Sequence, residues 1–461
     1  MTAGSVAGQL GITVHLAPSA PGAARFAGAL EVGLRRNPNR AQLLVSRVLG
    51  KHIPAPVSDV LSAAHALGAA ARSACAGQTP VVIGFAETAT ALGHGVAAVS
   101  AADGGPAPYL HTTRRPAPDG ARVIRFSEEH SHAVDQSLVV PDDAELRGGR
   151  PVVLVDDELT TGKTAVNAIR VLQASWPRPV YVLASLIDCR SDECRAQVAQ
   201  AVGELGASVV SVSLLNGRVG LPADVLAAAR EFIAALPEPP GPCSPAAREF
   251  IAALPESPGQ CSAVARWSGP APVSWLDVAL PDALPAIAST GWGPEQERAG
   301  RAAMNAVAAS LPVARDDRTL VLGDEELMYL PQLLAAALGG DVRTSATSRT
   351  PAVTIDRPGY PLRTVLTFGS TEDGRRPAYA YNVAASAHPD AGNAPGFDHI
   401  VLVTDAPRGP RTADLVGKLA DSARRGVHVV SLRSGRPGRQ AWRSGVGADL
   451  AAIAGERRAA Q

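Results

Sequence analysis

The sequence predicts an α/β protein built as two successive domains, each around a mostly parallel sheet. Three observations lead there. The chain has 461 residues, too long for one ordinary hydrophobic core. Short apolar runs alternate with helix-like stretches, which implies crossover units and parallel strands. A Pro/Ala-rich segment then interrupts the alternation, which resumes after it.

Candidate strands before the interruption are Ile12–Leu16, Pro80–Phe85, Val123–Phe126, Val152–Val155, Val180–Ile187 and Ser208–Leu214. Helical patterns fall at Arg40–Gly50, Ser58–Ala76, Ala89–Val99, Thr161–Ala174 and Asp192–Gly206. After it come strands at Leu320–Leu322, Thr364–Phe368, Ile400–Thr404 and Val427–Leu432, with helices at Glu325–Ala337 and Arg411–Arg424. The interruption is an 18-residue tandem duplication: AAREFIAALPEPPGPCSP is followed directly by AAREFIAALPESPGQCSA. Each copy has one short helical piece and a Pro-Gly breaker. Two copies are too few for a solenoid, so the segment reads as a linker. The expected divisions are a first domain at 1–227, a linker at 228–268, a second domain at 269–440 and a tail at 441–461.

Composition narrows the function classes. Lys plus Arg equals 43 and Asp plus Glu equals 43, so there is no global field to gather nucleic acid, and an anion site has to be local. The N-terminus lacks a basic region followed by an apolar core, and no run approaches the ~20 apolar residues of a membrane span. Five cysteines without a CxxC pair argue against zinc and for free thiols in a cytoplasmic chain.

The most informative stretch is VVLVDDELTTGKT, Val152 to Thr164. Its Gly-Lys-Thr suggests a nucleotide P-loop, but Asp157 stands where the first P-loop glycine is required. A carboxylate there repels a triphosphate. The alternative is an apolar strand ending in Asp156 and Asp157, then a loop that opens a helix. The N–H groups of such a loop bind phosphate, Gly162 permits close approach, and Thr160, Thr161 and Thr164 add hydroxyl donors. Two acids beside a phosphate site suit a sugar phosphate: the phosphate to the loop, the vicinal diol to the acids. The carboxyl end of a parallel strand is where open α/β sheets bind ligands.

These residues resemble the 5-phosphoribosyl-1-pyrophosphate (PRPP) motif of type I phosphoribosyltransferases: an apolar run, two acids, two further residues, then Thr-Thr-Gly-x-Thr. The resemblance implies the type I phosphoribosyltransferase fold for the first domain, with Lys163 inside the PRPP loop. Glu158 departs from the usual apolar residue; it is expected at the surface, the alternative being a third acid pointing into the site. VVIGFAETATALGHGVAAV (Val81 to Val99) has the form of the family's pyrophosphate loop, with Gly84 allowing close approach and Glu87 and Thr88 at the helix start. The family carries a mobile hood between these motifs. Here that interval holds Arg114 and Arg115, candidates to neutralise pyrophosphate, and Glu128, Glu129, His130 and His132, candidates for acid–base work or for holding a metal, with a plain solvated loop as the alternative. Arg35, Arg36, Asn39, Arg40, Lys51 and His52 flank Arg40–Gly50. They read first as a basic turn favoured by a helix dipole, and alternatively as the acceptor or hood side of the site.

More narrowly, NPNRAQLLVSRVLGKHIP, FSEEHSHA, LGDEELMYLP and TSRTP resemble an orotate-phosphoribosyltransferase-like family of tellurium-resistance (Ter) stress gene clusters, with a C-terminal domain named for Thr-Arg-Ser-Pro. TSRTP (Thr347 to Pro351) exchanges Ser and Thr around Arg349. The resemblance implies a PRPP-dependent transferase making a nucleotide- or nucleoside-like product on an unstated acceptor. It implies Mg²⁺ held through PRPP, with Asp156 and Asp157 as auxiliary ligands and no protein-only metal site. Expected partners are PRPP, an acceptor and a second copy in a homodimer, with no nucleic acid and no membrane.

The two halves also align with each other. VVIGFAE pairs with LVLGDEE (Leu320 to Glu326), TTRRP with TSRTP, RVIRFSEE with RTVLTFGSTE, and VVLVDDELTTGKT with IVLVTDAPRGPRT (Ile400 to Thr412). The second domain is therefore expected to be a diverged copy of the first that keeps Asp405 and Thr412 and loses the paired acids. Glu326, Arg349 and Asp405 should then gather in a second cleft. The competing function is a non-catalytic PRPP sensor or scaffold. A DNA-reading sensor would need a basic module, and the Arg-rich stretch after Arg433 shows no helix-turn-helix pattern.

Overall fold

The computed structural model describes residues 5–37, 39–117, 122–127, 135–140, 149–236, 269–284, 291–372, 374, 376–388, 390 and 392–433. Most of the tandem duplication, the C-terminal tail and the candidates Glu128, Glu129, His130 and His132 lie outside these residues.

In chain order the first half contains α1 (Val6–Gln9), β1 (Thr13–Pro18), β2 (Leu30–Leu34), β3 (Gln42–Ser46), β4 (Ala55–Pro56), α2 (Val57–Ala74), β5 (Val81–Gly84), α3 (Thr90–Ala97) and β6 (Tyr109–Thr113). It continues with β7 (Arg122–Ser127), β8 (Asp135–Val140), β9 (Val152–Leu159), α4 (Lys163–Ser175), β10 (Val180–Asp188), α5 (Asp192–Glu204), β11 (Ser208–Gly220) and α6 (Val225–Ala234). The second half contains β12 (Val273–Ala279), α7 (Pro294–Ser310), β13 (Thr319–Gly323), α8 (Tyr329–Leu338), β14 (Val342–Ala346), β15 (Val365–Gly369), β16 (Pro377–Tyr381), β17 (Phe397–Thr404), α9 (Pro410–Ala420) and β18 (Ala423–Arg433).

The first sheet has eight strands in the order β1-β11-β10-β9-β5-β6-β8-β7. Its centre, β11 to β6, is parallel, and β1, β8 and β7 add antiparallel edges. The central strands are apolar on both faces because both are covered. Val82, Val153 and Val155 pack in one cluster with residues of α2 and α3. Val81, Ile83 and Leu154 pack on the other face with residues of α4 and α5.

The second sheet runs β12-β18-β17-β13-β14-β4, parallel from β12 to β14. Its four inner strands repeat the centre of the first sheet. β10-β9-β5-β6 corresponds to β18-β17-β13-β14 in spatial order, chain order and direction. The helices correspond too: α2 with α7, α3 with α8 and α4 with α9. Even the antiparallel hairpin between the second and third strands recurs, β7–β8 in one half and β15–β16 in the other. This is the strand order expected of a diverged copy. At the far edge the halves differ, since β12 precedes its sheet in sequence where β11 follows.

The halves interlock. β4 belongs to the first half by sequence but pairs antiparallel with β14. β2 and β3 form a separate hairpin, and Val32, Leu34 and Val45 share a core with Val353, Ile355 and Leu362 of the second half.

Most predicted elements form within a few residues of their expected bounds. One does not. Arg40–Gly50 is a strand and turn rather than a helix. Its run Leu43-Leu44-Val45 pairs with β2, in the register Gly33↔Leu43, Val32↔Leu44 and Glu31↔Val45, and tertiary burial on both faces overrides a weak helical spacing. Glu325–Ala337 begins its helix only at Tyr329, because Asp324, Glu325 and Glu326 form a tight turn in which Glu325 has φ +54°.

Candidate active site

A cavity of about 420 Å³ opens at the carboxyl ends of β5 and β9. The 13-residue helix α4 starts beside it. Gly162 is the N-cap, at φ +83°, and an added Cβ would meet Val198 Cγ2 at 2.7 Å. Glycine is thus required both by backbone conformation and by packing. Thr160, Thr161, Gly162 and Thr164 line the cavity; Lys163 does not and is exposed. The loop presents the first-turn N–H groups of α4, a natural anion site.

Asp156 and Asp157 also line the cavity, although β9 runs past them to Leu159. Thr88 donates its hydroxyl to Asp157 Oδ1 at 2.9 Å, and Asp157 N–H donates to Asp156 Oδ1 at 3.0 Å. Burial, then Glu158, pushes the Asp157 carboxyl up from its usual range, against the pull of these hydrogen bonds. Glu158 corrects an expectation. It is not simply at the surface: it lines the cavity and pairs with Arg40 at 2.6 Å.

Opposite stands the turn Phe85-Ala86-Glu87-Thr88, with a cis Ala86–Glu87 peptide. Gly84 lies beneath it and does not line the cavity. Its missing side chain makes room for the Tyr109 hydroxyl and Ala89 O, which a Cβ would meet at 2.6 and 2.7 Å, so its role is packing rather than approach to a ligand. Glu87 and Thr88 precede the helix, which starts at Thr90. Glu87 is held by Lys51 Nζ at 2.5 Å. Lys51 is fully buried and also donates to Glu325 O (3.1 Å) and Thr347 O (2.7 Å). Burial would raise the Glu87 carboxyl, but Lys51, Arg349 and Arg114 together hold it down at about 2.

The basic residues before β4 divide. Arg35, Arg36, Arg40 and His52 line the cavity together with Leu43 and Leu44; Asn39 does not, and Lys51 lies behind it. No helix is present there for a dipole to favour them. Burial, then the charges of Lys51 and Arg35, drops the His52 imidazole to about 3, and its Nε2 is buried with no hydrogen-bond partner.

The second half completes the wall with Arg349, Thr350, Pro351 and Arg376. Sequence reasoning set Glu326, Arg349 and Asp405 in a second cleft. The structure corrects this: the carboxyl ends of the two sheets face each other, Glu326 and Asp405 are spent on that contact, and Arg349 lines the first cavity. Glu326 accepts from Thr113 Oγ1 at 2.6 Å and from Arg114 N at 2.8 Å. Asp405 pairs with Arg115, so Arg115 is turned away from the first cavity while Arg114 lines it. Asp324, buried beside them, accepts from Thr347, Thr371 and Thr404. Thr350, Pro351 and Arg376 were missed; the pairing of TSRTP with TTRRP carried the signal for the first two.

Residues 29–218 match the phosphoribosyl transferase family. Residues 288–420 match the family described as "TRSP domain C terminus to PRTase_2". No curated protein matches the chain. Among solved structures, the chain is similar to adenine phosphoribosyl transferase from Trypanosoma brucei in complex with AMP, pyrophosphate and ribose-5-phosphate. That match has 14% identity over 42% of this chain and 78% of that one, at a TM-score of 0.29. Adenine phosphoribosyltransferase from Rhodothermus marinus matches at 18% identity, 41% and 96% coverage and a TM-score of 0.29. Orotate phosphoribosyltransferase from Aeropyrum pernix matches at 20%, 40% and 88%, with a TM-score of 0.26. The phosphoribosyl transferase region thus spans β2 to β11 and contains both loops of the cavity, and the TRSP region spans most of the second sheet. Among the described residues no three His, Cys, Asp or Glu are placed to hold a metal ion, and no helix is long and apolar enough to cross a membrane.

Proposed function

We propose that the cavity binds PRPP and transfers its phosphoribosyl group to an acceptor nucleophile, releasing pyrophosphate. The observation that carries this reading is the placement of Asp156 and Asp157 beside the Thr160–Thr164 loop at the start of α4, within one cavity. The loop takes the 5-phosphate and the acids take the ribose hydroxyls. Pyrophosphate lies toward the Glu87–Thr88 turn. The bond from C1 to the pyrophosphate oxygen breaks, its electron pair leaving with pyrophosphate, and an acceptor lone pair forms the new bond to C1. As positive charge develops on the ribosyl group, the two fixed carboxylates stabilise it.

Mg²⁺ suits this donor set, since it keeps several waters and takes one or two carboxylates with phosphate oxygens. Asp156 and Asp157 would hold it, and it would neutralise charge on the leaving group. The acceptor is a nitrogen or another nucleophile and the product nucleotide- or nucleoside-like, in keeping with a stress-response role for the Ter-type family the sequence resembles.

Calorimetric titration of PRPP with Mg²⁺ tests the reading. Wild type should bind, and the Asp156→Asn/Asp157→Asn variant should lose binding. A wild type that fails to bind, or a double variant that binds equally, would sink it. PRPP binding with no turnover on any nucleobase or related acceptor would favour a sensor instead.

A further inference from the structure

Arg349 reaches the cavity from the second half of the chain, outside the phosphoribosyl transferase match. Three contacts fix it. Nε donates to Glu325 Oε2 at 2.7 Å, Nη2 donates to Glu372 Oε2 at 2.9 Å, and the backbone N–H donates to Glu87 Oε1 at 3.3 Å. Nη1 has no hydrogen-bond partner among the described residues. The guanidinium is charged, mostly buried and restrained, with Nη1 left over as a donor nitrogen.

Its place has a counterpart. Arg114 follows β6 in TTRRP as Arg349 follows β14 in TSRTP, and both line the cavity beside Glu87 and Thr88. Around Arg349 four carboxylates, Glu87, Glu325, Glu326 and Glu372, are matched by four cations, Lys51, Arg114, Arg376 and Arg349 itself. An anion brought to Nη1 therefore meets a fixed donor without an opposing net charge.

We propose that Arg349 binds the pyrophosphate group of PRPP, so that the TRSP region supplies part of the substrate site. This rests on the phosphoribosyl-transfer reading above. A donor held in position before the leaving group gains charge costs no reorganisation when the bond breaks. It also explains why the two halves are interlocked rather than merely tethered.

The test compares inorganic pyrophosphate, PRPP and ribose 5-phosphate by calorimetry with Mg²⁺. The proteins are the full-length wild type, Arg349→Gln, and Arg349→Gln/Glu372→Gln, which preserves net charge in case the single variant folds poorly. Pyrophosphate and PRPP should weaken by about 10- to 100-fold in both variants, the range for a lost charged hydrogen bond, with ribose 5-phosphate within about threefold of wild type. Unchanged pyrophosphate affinity in a variant that still binds ribose 5-phosphate would overturn the proposal. So would a parallel loss of both ligands, which would make Arg349 structural only. Wild type binding none of the three would instead overturn the phosphoribosyl reading itself.

Discussion

Glu87 and Glu326 occupy equivalent positions in the two halves, and each carboxylate accepts the backbone N–H of an arginine in the other half. Glu326 takes Arg114 N at 2.8 Å and Glu87 takes Arg349 N at 3.3 Å. Bonds inside each half correspond as well. Thr112 Oγ1 accepts from Ala86 N at 2.7 Å, as Thr347 Oγ1 accepts from Glu325 N at 2.8 Å. Thr113 Oγ1 accepts from Arg115 N at 3.0 Å, as Ser348 Oγ accepts from Thr350 N at 3.1 Å. The chain thus contains a pseudo-twofold contact between its own halves. At this contact the first half has an open cavity, while the second has the Arg115–Asp405 pair.

The exchange identifies what keeps the first crevice open. Arg115 pairs with Asp405 in the second crevice. The equivalent positions in the first are Thr350 and Asp157, and both line the cavity. A short side chain stands where the other half has a guanidinium. Thr350→Arg should place a cation against Asp157 and weaken PRPP binding at least about 100-fold, while a surface-facing change of this kind leaves stability within about 1 kcal/mol. Calorimetry and thermal melting measure the two effects.

Lys51→Met should be strongly destabilising. It leaves Glu87, 6% exposed, without its closest countercharge, and breaking one side of a buried pair costs about 3–5 kcal/mol. Adding Glu87→Gln should recover much of that loss in denaturant melts. A single variant as stable as wild type would show that the buried pair contributes little to stability.

Gly162→Ala should damage the phosphate loop. The left-handed backbone and the 2.7 Å approach to Val198 leave no strain-free place for a methyl group. The expected cost is about 1–3 kcal/mol, with ribose 5-phosphate affinity reduced by about tenfold or more. Calorimetry would read the affinity and a melt the stability.

His52 makes stability depend on pH. Its folded value is about 3 against an ordinary 6.5, so between these the unfolded chain binds the extra proton. Stability contributed by neutral His52 is present above pH 6.5 and declines as pH falls toward 3. At pH 5 the loss is about 2 kcal/mol. Melts of wild type and His52→Gln at about pH 7.5 and about pH 5 should show a smaller acid loss in the variant; equal losses would mean that the imidazole titrates normally.

Val152 to Thr164 shows how far local sequence reaches. An apolar run followed by two acids and a Thr-Thr-Gly turn reads as a buried strand entering a helix, and β9 and α4 form there. The same holds for the alternation of strands and helices, and for the four paired segments that announced a repeated sheet. These features depend on neighbours within about one turn or strand.

Arg40–Gly50, Glu158, Lys51 and Arg349 show where that reach ends. Spacing in Leu43-Leu44-Val45 suits a helix or a strand, and pairing with β2 decides. Glu158 needs Arg40, 118 residues away, to be drawn into the cavity. Lys51 is buried only because Glu87, Glu325 and Thr347 converge on it from three segments. Arg349 belongs to the second half by sequence and to the first cavity by position. The two α/β sheets and the strand–loop–helix turn at Asp156 to Thr164 were legible from short-range patterning. Only the tertiary structure decided that the sheets face each other, since that depends on charge pairs and shared apolar surface between segments hundreds of residues apart.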